Sequence, residues 1–232
     1  MIRAVLFDVD DTLVDYTGAE RAGITRYLRD LGVPAAAVPD AVSHWHRLME
    51  RHFARYLDGE LDFQEHRRER VRDMLRWLGR AVPAEDSPLD RWYLGYQRRY
   101  EAALAPFDDV VGCLDALSGL PLGVVTNNDT GYQRMKLARI GLVDRFRCVI
   151  GTDLGGVRKP DPAIFLAGCR ALGTAAAQTA YVGDRLDHDA RGAVGAGLFG
   201  VWLHRFGTPA DQPGVPCITT LAALPQLLGL VV

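Results

Sequence analysis

The sequence predicts an α/β fold, a doubly wound parallel sheet with an all-helical segment inserted after its first strand. Three observations carry this. Ala4-Val5-Leu6-Phe7 is an apolar run without a polar break, the pattern of a strand buried on both faces. From Pro106 onward short apolar strands alternate with helical stretches, which implies a parallel sheet. From about residue 16 to 104 apolar residues instead recur at three- and four-residue steps, the spacing of amphipathic helices.

The inserted segment reads as four helices joined by short connections, a small bundle. Residues 17–31 form the first and end before Gly32 and Pro34. Asp40 precedes the second, whose apolar face is Val42, Trp45, Leu48, Met49, Phe53, Tyr56 and Leu57; Asp58-Gly59 ends it. Asp62 with Glu65 reads as a capping box opening the third. Ser87-Pro88 opens the fourth, a cap residue followed by proline at the first helical position. Trp45, Phe53, Trp92, Tyr93, Tyr96 and Tyr100 fall at helical spacing, so most of them read as core of this bundle rather than as the lining of a pocket. The run His66-Arg67-Arg68-Glu69-Arg70 reads as a solvated helix face, because an acid interrupts it.

In the remainder, strands are expected at 122–126, 146–150, 180–182, 199–203 and 217–219. Helices are expected at 110–117, 130–140, from Asp161-Pro162 to Gly173, after Gly183, and at 221–228, with a surface loop at 207–216.

The 232 residues suit one large domain or a core with a smaller insertion. Lys plus Arg number 27 and Asp plus Glu 29, a net charge of -2, which gives no electrostatic case for nucleic acid or a membrane surface as partner. Cys113, Cys148, Cys169 and Cys217 are widely spread without a C-x-x-C pair, so neither zinc nor a disulfide framework is indicated. The first strand starts at once, leaving no room for a signal peptide before the acids. No apolar run approaches membrane-spanning length. A cytoplasmic setting is the expectation; oligomeric state is not legible.

The first strand stops on Asp8, Asp10 and Asp11. Unpaired carboxylates at the end of a core strand are expensive, and a hard divalent cation is the simplest group to offset them. Asp8, Asp10 and Thr12 point to one side of an extended chain. The competing reading is a strand end followed by a turn in which Asp11 or Thr12 caps a helix.

Other strand ends carry complementary groups. Thr126-Asn127-Asn128 follows one strand and suits phosphate oxygens, although taken alone a turn with a helix cap explains it better. Lys159 lies on a loop stiffened by Pro160 and Pro162, a phosphate clamp or an exposed lysine. Gly183-Asp184 ends another strand; if that strand neighbours the first, Asp184 faces Asp8. Asp187 and His188 read as solvated loop, and Asp189 as a brace for Asp184 or Lys159. Tyr16 is a candidate for substrate contact, and Arg205 a candidate for an anionic substrate.

Asp8-Val9-Asp10-Asp11-Thr12, Thr126-Asn127, Lys159-Pro160 and Gly183-Asp184 with Asp189 resemble the four ordered motifs of the haloacid dehalogenase-like (HAD) hydrolases. The resemblance covers about residues 1–14 and 105–232. It implies a Rossmann-like core of residues 1–15 plus 105–232 and a helical cap of the C1 type at 16–104. Asp11 departs from the pattern, since many members have glycine there. The resemblance implies Asp8 as nucleophile, Asp10 as general acid and base, and Thr126, Asn127 and Lys159 as holders of the phosphoryl group. It implies magnesium bound by Asp8, the Asp10 carbonyl and Asp184, with Thr12 and Asp189 behind them. The family's dehalogenases lack an acid two residues after the nucleophile, because a departing halide needs no proton; Asp10 therefore points to phosphoryl chemistry. The expected activity is hydrolysis of small phosphate monoesters through an aspartyl-phosphate. A phosphomutase resembling β-phosphoglucomutase and a non-catalytic binding protein are the alternatives.

Overall fold

The computed structural model describes residues 1–153, 157–207 and 214–230. Most of the surface loop expected at 207–216 lies outside the described residues. The chain divides into two compact units, Met1–Tyr16 with Ala105–Val232, and Thr17–Leu104.

The first unit is built on six parallel strands among the described residues, β1 (Ala4–Phe7), β2 (Leu122–Val125), β3 (Cys148–Ile150), β4 (Thr179–Gly183), β5 (Phe199–Leu203) and β6 (Cys217–Ile218). Their order is β3-β2-β1-β4-β5-β6. β1 therefore pairs with β2 on one side and β4 on the other, with Phe7 level with Val124 and Val182. Strand order reverses its direction of growth at this point, and beyond such a switch, at the carboxyl ends of the strands, a crevice forms.

All four residues of β1 are fully buried, which is why its sequence shows no alternation. Helices flank the sheet on both sides: α5 (Val110–Ala116), α6 (Thr130–Arg139), α7 (Pro162–Leu172), α8 (Gly192–Gly195) and α9 (Leu224–Leu227). On one side Ala4, Leu6, Val125, Phe165, Cys169, Leu172 and Tyr181 form a continuous core, in which the Phe165 and Tyr181 rings meet edge to face at 4.9 Å. α7 starts as its sequence dictates: the Asp161 carboxylate accepts from Ala163 N at 2.8 Å, and Gly173 ends the helix at φ 70°.

The stretch after β4 departs from the expected plain helix. Leu186–Arg191 is a π-helical turn, which only then tightens into α8. The wide turn turns Asp189 inward, where it is fully buried and accepts from Arg185 N at 2.9 Å. π turns are rare and accompany functional sites.

The second unit holds α1 (Tyr16–Asp30, whose first residue belongs to the other unit), α2 (Val38–Leu57), α3 (Phe63–Trp77) and α4 (Asp86–Ala102). Trp45 is its centre, fully buried and in ring contact with Trp92 at 5.3 Å and Tyr96 at 4.9 Å. Trp45, Tyr96 and Tyr100 are thus core, as their spacing indicates, whereas Phe53, Trp92 and Tyr93 are half-buried. Asp62 caps α3 by accepting from Gln64 N and Glu65 N, both at 2.7 Å.

Three expectations need correction. α2 begins at Val38, so Asp40 lies inside its first turn. α4 begins at Asp86, and Ser87 does not cap it but accepts from Arg91 at 2.6 Å. The basic run on α3 is not a solvated face. Arg70 is buried at 3% exposure, paired with the equally buried Glu20 and stacked 3.7 Å from the Trp45 ring centre. Arg67 lies over the Phe63 ring at 4.1 Å. Burial disfavours ionised Glu20, but Arg70 and His46 outweigh it and hold the carboxyl below the usual range. Arginine can enter a core where a carboxylate and aromatic faces receive it, which local charge pattern does not reveal.

α1 and α4 meet closely at Gly23, where an added Cβ would lie 2.6 Å from the Tyr100 backbone. Gly23→Ala is expected to destabilise the protein by about 1–3 kcal/mol through overpacking. Urea denaturation against wild type checks this.

Candidate active site

Asp8 is the first residue past β1, and its N–H continues the ladder to Val182 O at 2.9 Å. The chain then turns tightly, with Val9 O accepting from Leu13 N and Val14 N at 2.9 Å. Asp11 sits in that turn at φ 54°, the one non-glycine residue with positive φ among those described. Aspartate tolerates this conformation better than most residues, and the conformation explains why a glycine is the common alternative at such a position.

Lys159 is the hub of the strand ends. Its ammonium, 4% exposed, donates to Asp8 at 2.7 Å, Asp189 at 2.6 Å and the Tyr181 hydroxyl at 2.9 Å. Tyr181 in turn donates to Val125 O at 2.9 Å. The loop that carries the lysine is tied down by Asn127, whose side chain accepts from Lys159 N at 2.6 Å and donates to Lys159 O at 2.9 Å. Asn127 thus spends its amide on positioning Lys159 rather than turning it toward a ligand, unlike the expectation from sequence.

Asp10 is held separately. Lys136 Nζ donates to one of its carboxyl oxygens at 2.7 Å and Gln133 Nε2 to the other at 2.9 Å. Gln133 also reaches the Thr126 hydroxyl at 3.3 Å. Thr126 is 3% exposed, and its backbone N–H is used by Ile150 O at 2.9 Å.

Asp184 leaves β4 beside Asp8, as β1–β4 pairing requires, and carboxylate oxygens of Asp8, Asp184 and Asp189 lie within 4.8 Å of one another. Thr12 is fully buried, and its hydroxyl has no hydrogen-bond partner among the described residues. Arg205 does not face an anionic ligand. Its guanidinium clamps Asp109 at 2.8 and 2.9 Å and donates to Thr12 O at 2.8 Å. Tyr16 lies by Lys136, whose Nζ is 5.5 Å from its ring centre. Asp187 is exposed and paired with Arg191 at 2.7 Å.

Sequence reasoning missed Lys136, Gln133 and Tyr181. The sequence placed Gln133 and Lys136 only within an expected helix at 130–140, and Tyr181 within an expected strand at 180–182. The available signal was the three-residue spacing that puts Gln133 and Lys136 on one helix face.

The carboxylates are crowded enough to disfavour their own ionisation. Burial pushes Asp8 from 3.8 up to about 7, with Asp189 and Asp10 adding to it and Lys159 opposing it. Burial and the charges of Asp189 and Asp8 raise Asp184 as well. The same carboxylates overcome the burial of Lys159 and hold its ammonium above the usual lysine range. Three clustered carboxylates against one ammonium fit a hard divalent cation with oxygen ligands. Asp189 is already committed to Lys159 and Arg185 N, which leaves Asp8 and Asp184 as the carboxylates best suited to hold it.

The family model described as haloacid dehalogenase-like hydrolase matches residues 2–197. A glyceraldehyde 3-phosphate phosphatase of Methanopyrus kandleri is 34% identical over 209 residues, covering 88% of this chain and 85% of that protein. A phosphoserine phosphatase of Thermus thermophilus is 31% identical over 236 residues, covering 93% and 94%. Among solved structures, a putative HAD-hydrolase of Bacillus subtilis bound to magnesium superposes with a TM-score of 0.81 at 24% identity, covering 98% of each chain.

A carboxyl with a raised folded-state pKa binds a proton that the unfolded chain releases, so its contribution to stability falls as pH rises between the two values. In chelator, the protein is expected to lose stability as pH rises from about 4 to about 7 on account of Asp8. Asp184 adds a slope of the same sign. Asp8→Asn removes its share, so urea midpoints across this range should slope less in the variant; parallel slopes would contradict the assignment.

Proposed function

Because the chain belongs to the haloacid dehalogenase-like hydrolases, we propose that it is a magnesium-dependent phosphatase acting on small phosphate monoesters through an aspartyl-phosphate at Asp8. The observation that carries this reading is the pair of carboxylates, Asp8 and Asp10, placed in two different environments on one turn. Asp8 is bonded to Lys159 among other acids, whereas Asp10 is bonded to Lys136 and Gln133. Two carboxyl groups in unlike surroundings can divide nucleophilic and acid–base work.

In this reading an Asp8 oxygen attacks phosphorus, and the ester P–O bond breaks as the Asp10 carboxyl gives its proton to the leaving oxygen. Water then attacks the aspartyl-phosphate, Asp10 takes the proton from that water, and Asp8 is regenerated with release of inorganic phosphate. Lys159, Thr126 and backbone N–H groups after Thr126 hold the phosphoryl oxygens, whose charge spreads in the transition state. Asp8, Asp184 and the Asp10 carbonyl would hold magnesium; when bound it supplies positive charge to the phosphoryl oxygens and favours ionised Asp8. Thr12 and Asp189 support the site from behind, Asp189 by orienting Lys159.

Residues 16–104 are read as the C1-type cap and residues 1–15 with 105–232 as the catalytic core. The substrate class is a small phosphorylated metabolite of the cytoplasm, in keeping with the named activities of the relatives. No described helix is long and apolar enough to cross a membrane.

Phosphate release from a panel of sugar phosphates, nucleoside monophosphates, phosphoserine, phosphoglycolate and an aryl phosphate tests this. Release is expected with magnesium, to vanish in chelator, and to fall by more than about 10³-fold in Asp8→Asn. No release from any ester by folded, magnesium-supplied protein would overturn the reading.

A further inference from the structure

We propose that Lys136 and Gln133 are positioning residues that fix the Asp10 carboxyl for its proton transfers; the proposal rests on the phosphatase reading above. Both come from one face of α6, and each donates to a different carboxyl oxygen, at 2.7 Å from Lys136 and 2.9 Å from Gln133. Two donors on two oxygens set the plane of the carboxyl as well as its location. Gln133 extends the constraint to the Thr126 hydroxyl at 3.3 Å.

Charge compensation alone does not account for this arrangement. The Asp10 side chain is 28% exposed, whereas that of its partner Lys136 is 1% exposed. A carboxylate open to water has little need of a buried ammonium, and a lysine is rarely buried so fully. The Lys136 ammonium is also within 5.5 Å of the Tyr16 ring centre and 5.1 Å of that of Tyr132. Burial and the flanking rings confine the ammonium, and through it the oxygen it bonds. What Lys136 adds is a fixed direction for a group that must meet first the leaving oxygen and then the attacking water. Misdirecting such a group costs rate even when its chemistry is intact.

The role has a readout that a merely structural one lacks. An alkyl phosphate needs a proton on its leaving oxygen, and a p-nitrophenyl ester does not. In Lys136→Met, the single-turnover rate of alcohol release from an alkyl phosphate is expected to fall about 10²-fold, while the p-nitrophenol burst falls by less than about threefold. Steady-state turnover should fall on both esters, because hydrolysis of the aspartyl-phosphate also uses Asp10. Equal losses in the two single-turnover rates, or none, would overturn the proposal. Should Lys136→Met fail to fold, Gln133→Leu is read in the same way. An active wild type with no leaving-group effect in either variant overturns the clamp alone; a wild type inactive on every ester of the panel above overturns the phosphatase reading and the clamp with it.

Discussion

One ammonium allows the strand ends to exist as they do. Asp8, Asp184 and Asp189 converge because β1 and β4 are neighbours and because a π turn folds Asp189 back over them. Without a buried cation the three would repel one another in a poorly solvated space. Lys159 binds two of them directly and the Tyr181 hydroxyl besides. Its loop is in turn fixed through the Asn127 amide. The arrangement still leaves more negative than positive charge, and that surplus is what suits the site to a divalent cation.

A second lysine divides the site. Lys136 and Lys159 are both buried, yet each serves a different aspartate on the same turn. The proposed nucleophile and the proposed acid–base group are therefore not a shared-proton pair. Each has its own donors, which makes separate roles physically possible. Asp11, in the left-handed conformation, turns the chain immediately after Asp10.

The helical unit follows a different logic. Its centre is the Trp45 cluster, and into that cluster the Arg70–Glu20 pair is driven. Such a pair stabilises less than apolar residues of equal volume would, and breaking it costs about 3–5 kcal/mol. It ties α1 to α3 across the aromatic core and so ties the unit together by a contact specific to these helices.

Much of the fold and of the site was legible along the chain, and the boundary between legible and hidden is physical. Short-range rules account for what could be read. The unbroken apolar run of β1, the Asp161 cap, the Gly173 stop and the acids on two strand ends are properties of a few consecutive residues. The same rules mislead where a long-range partner exists. Arg70 reads as solvated until Glu20, fifty residues earlier in the chain, meets it. Arg205 reads as open to an anion until Asp109 closes on it. Asn127 reads as a ligand-facing amide until the Lys159 backbone takes it. By itself the sequence determined the fold class, the helical insertion and which carboxylates end the strands, because hydrophobic period and turn chemistry are local. Only the tertiary structure decided that Lys136 and Gln133 hold Asp10 and that Tyr181 and Asp189 hold Lys159, because those bonds join residues brought together by strand order and helix packing.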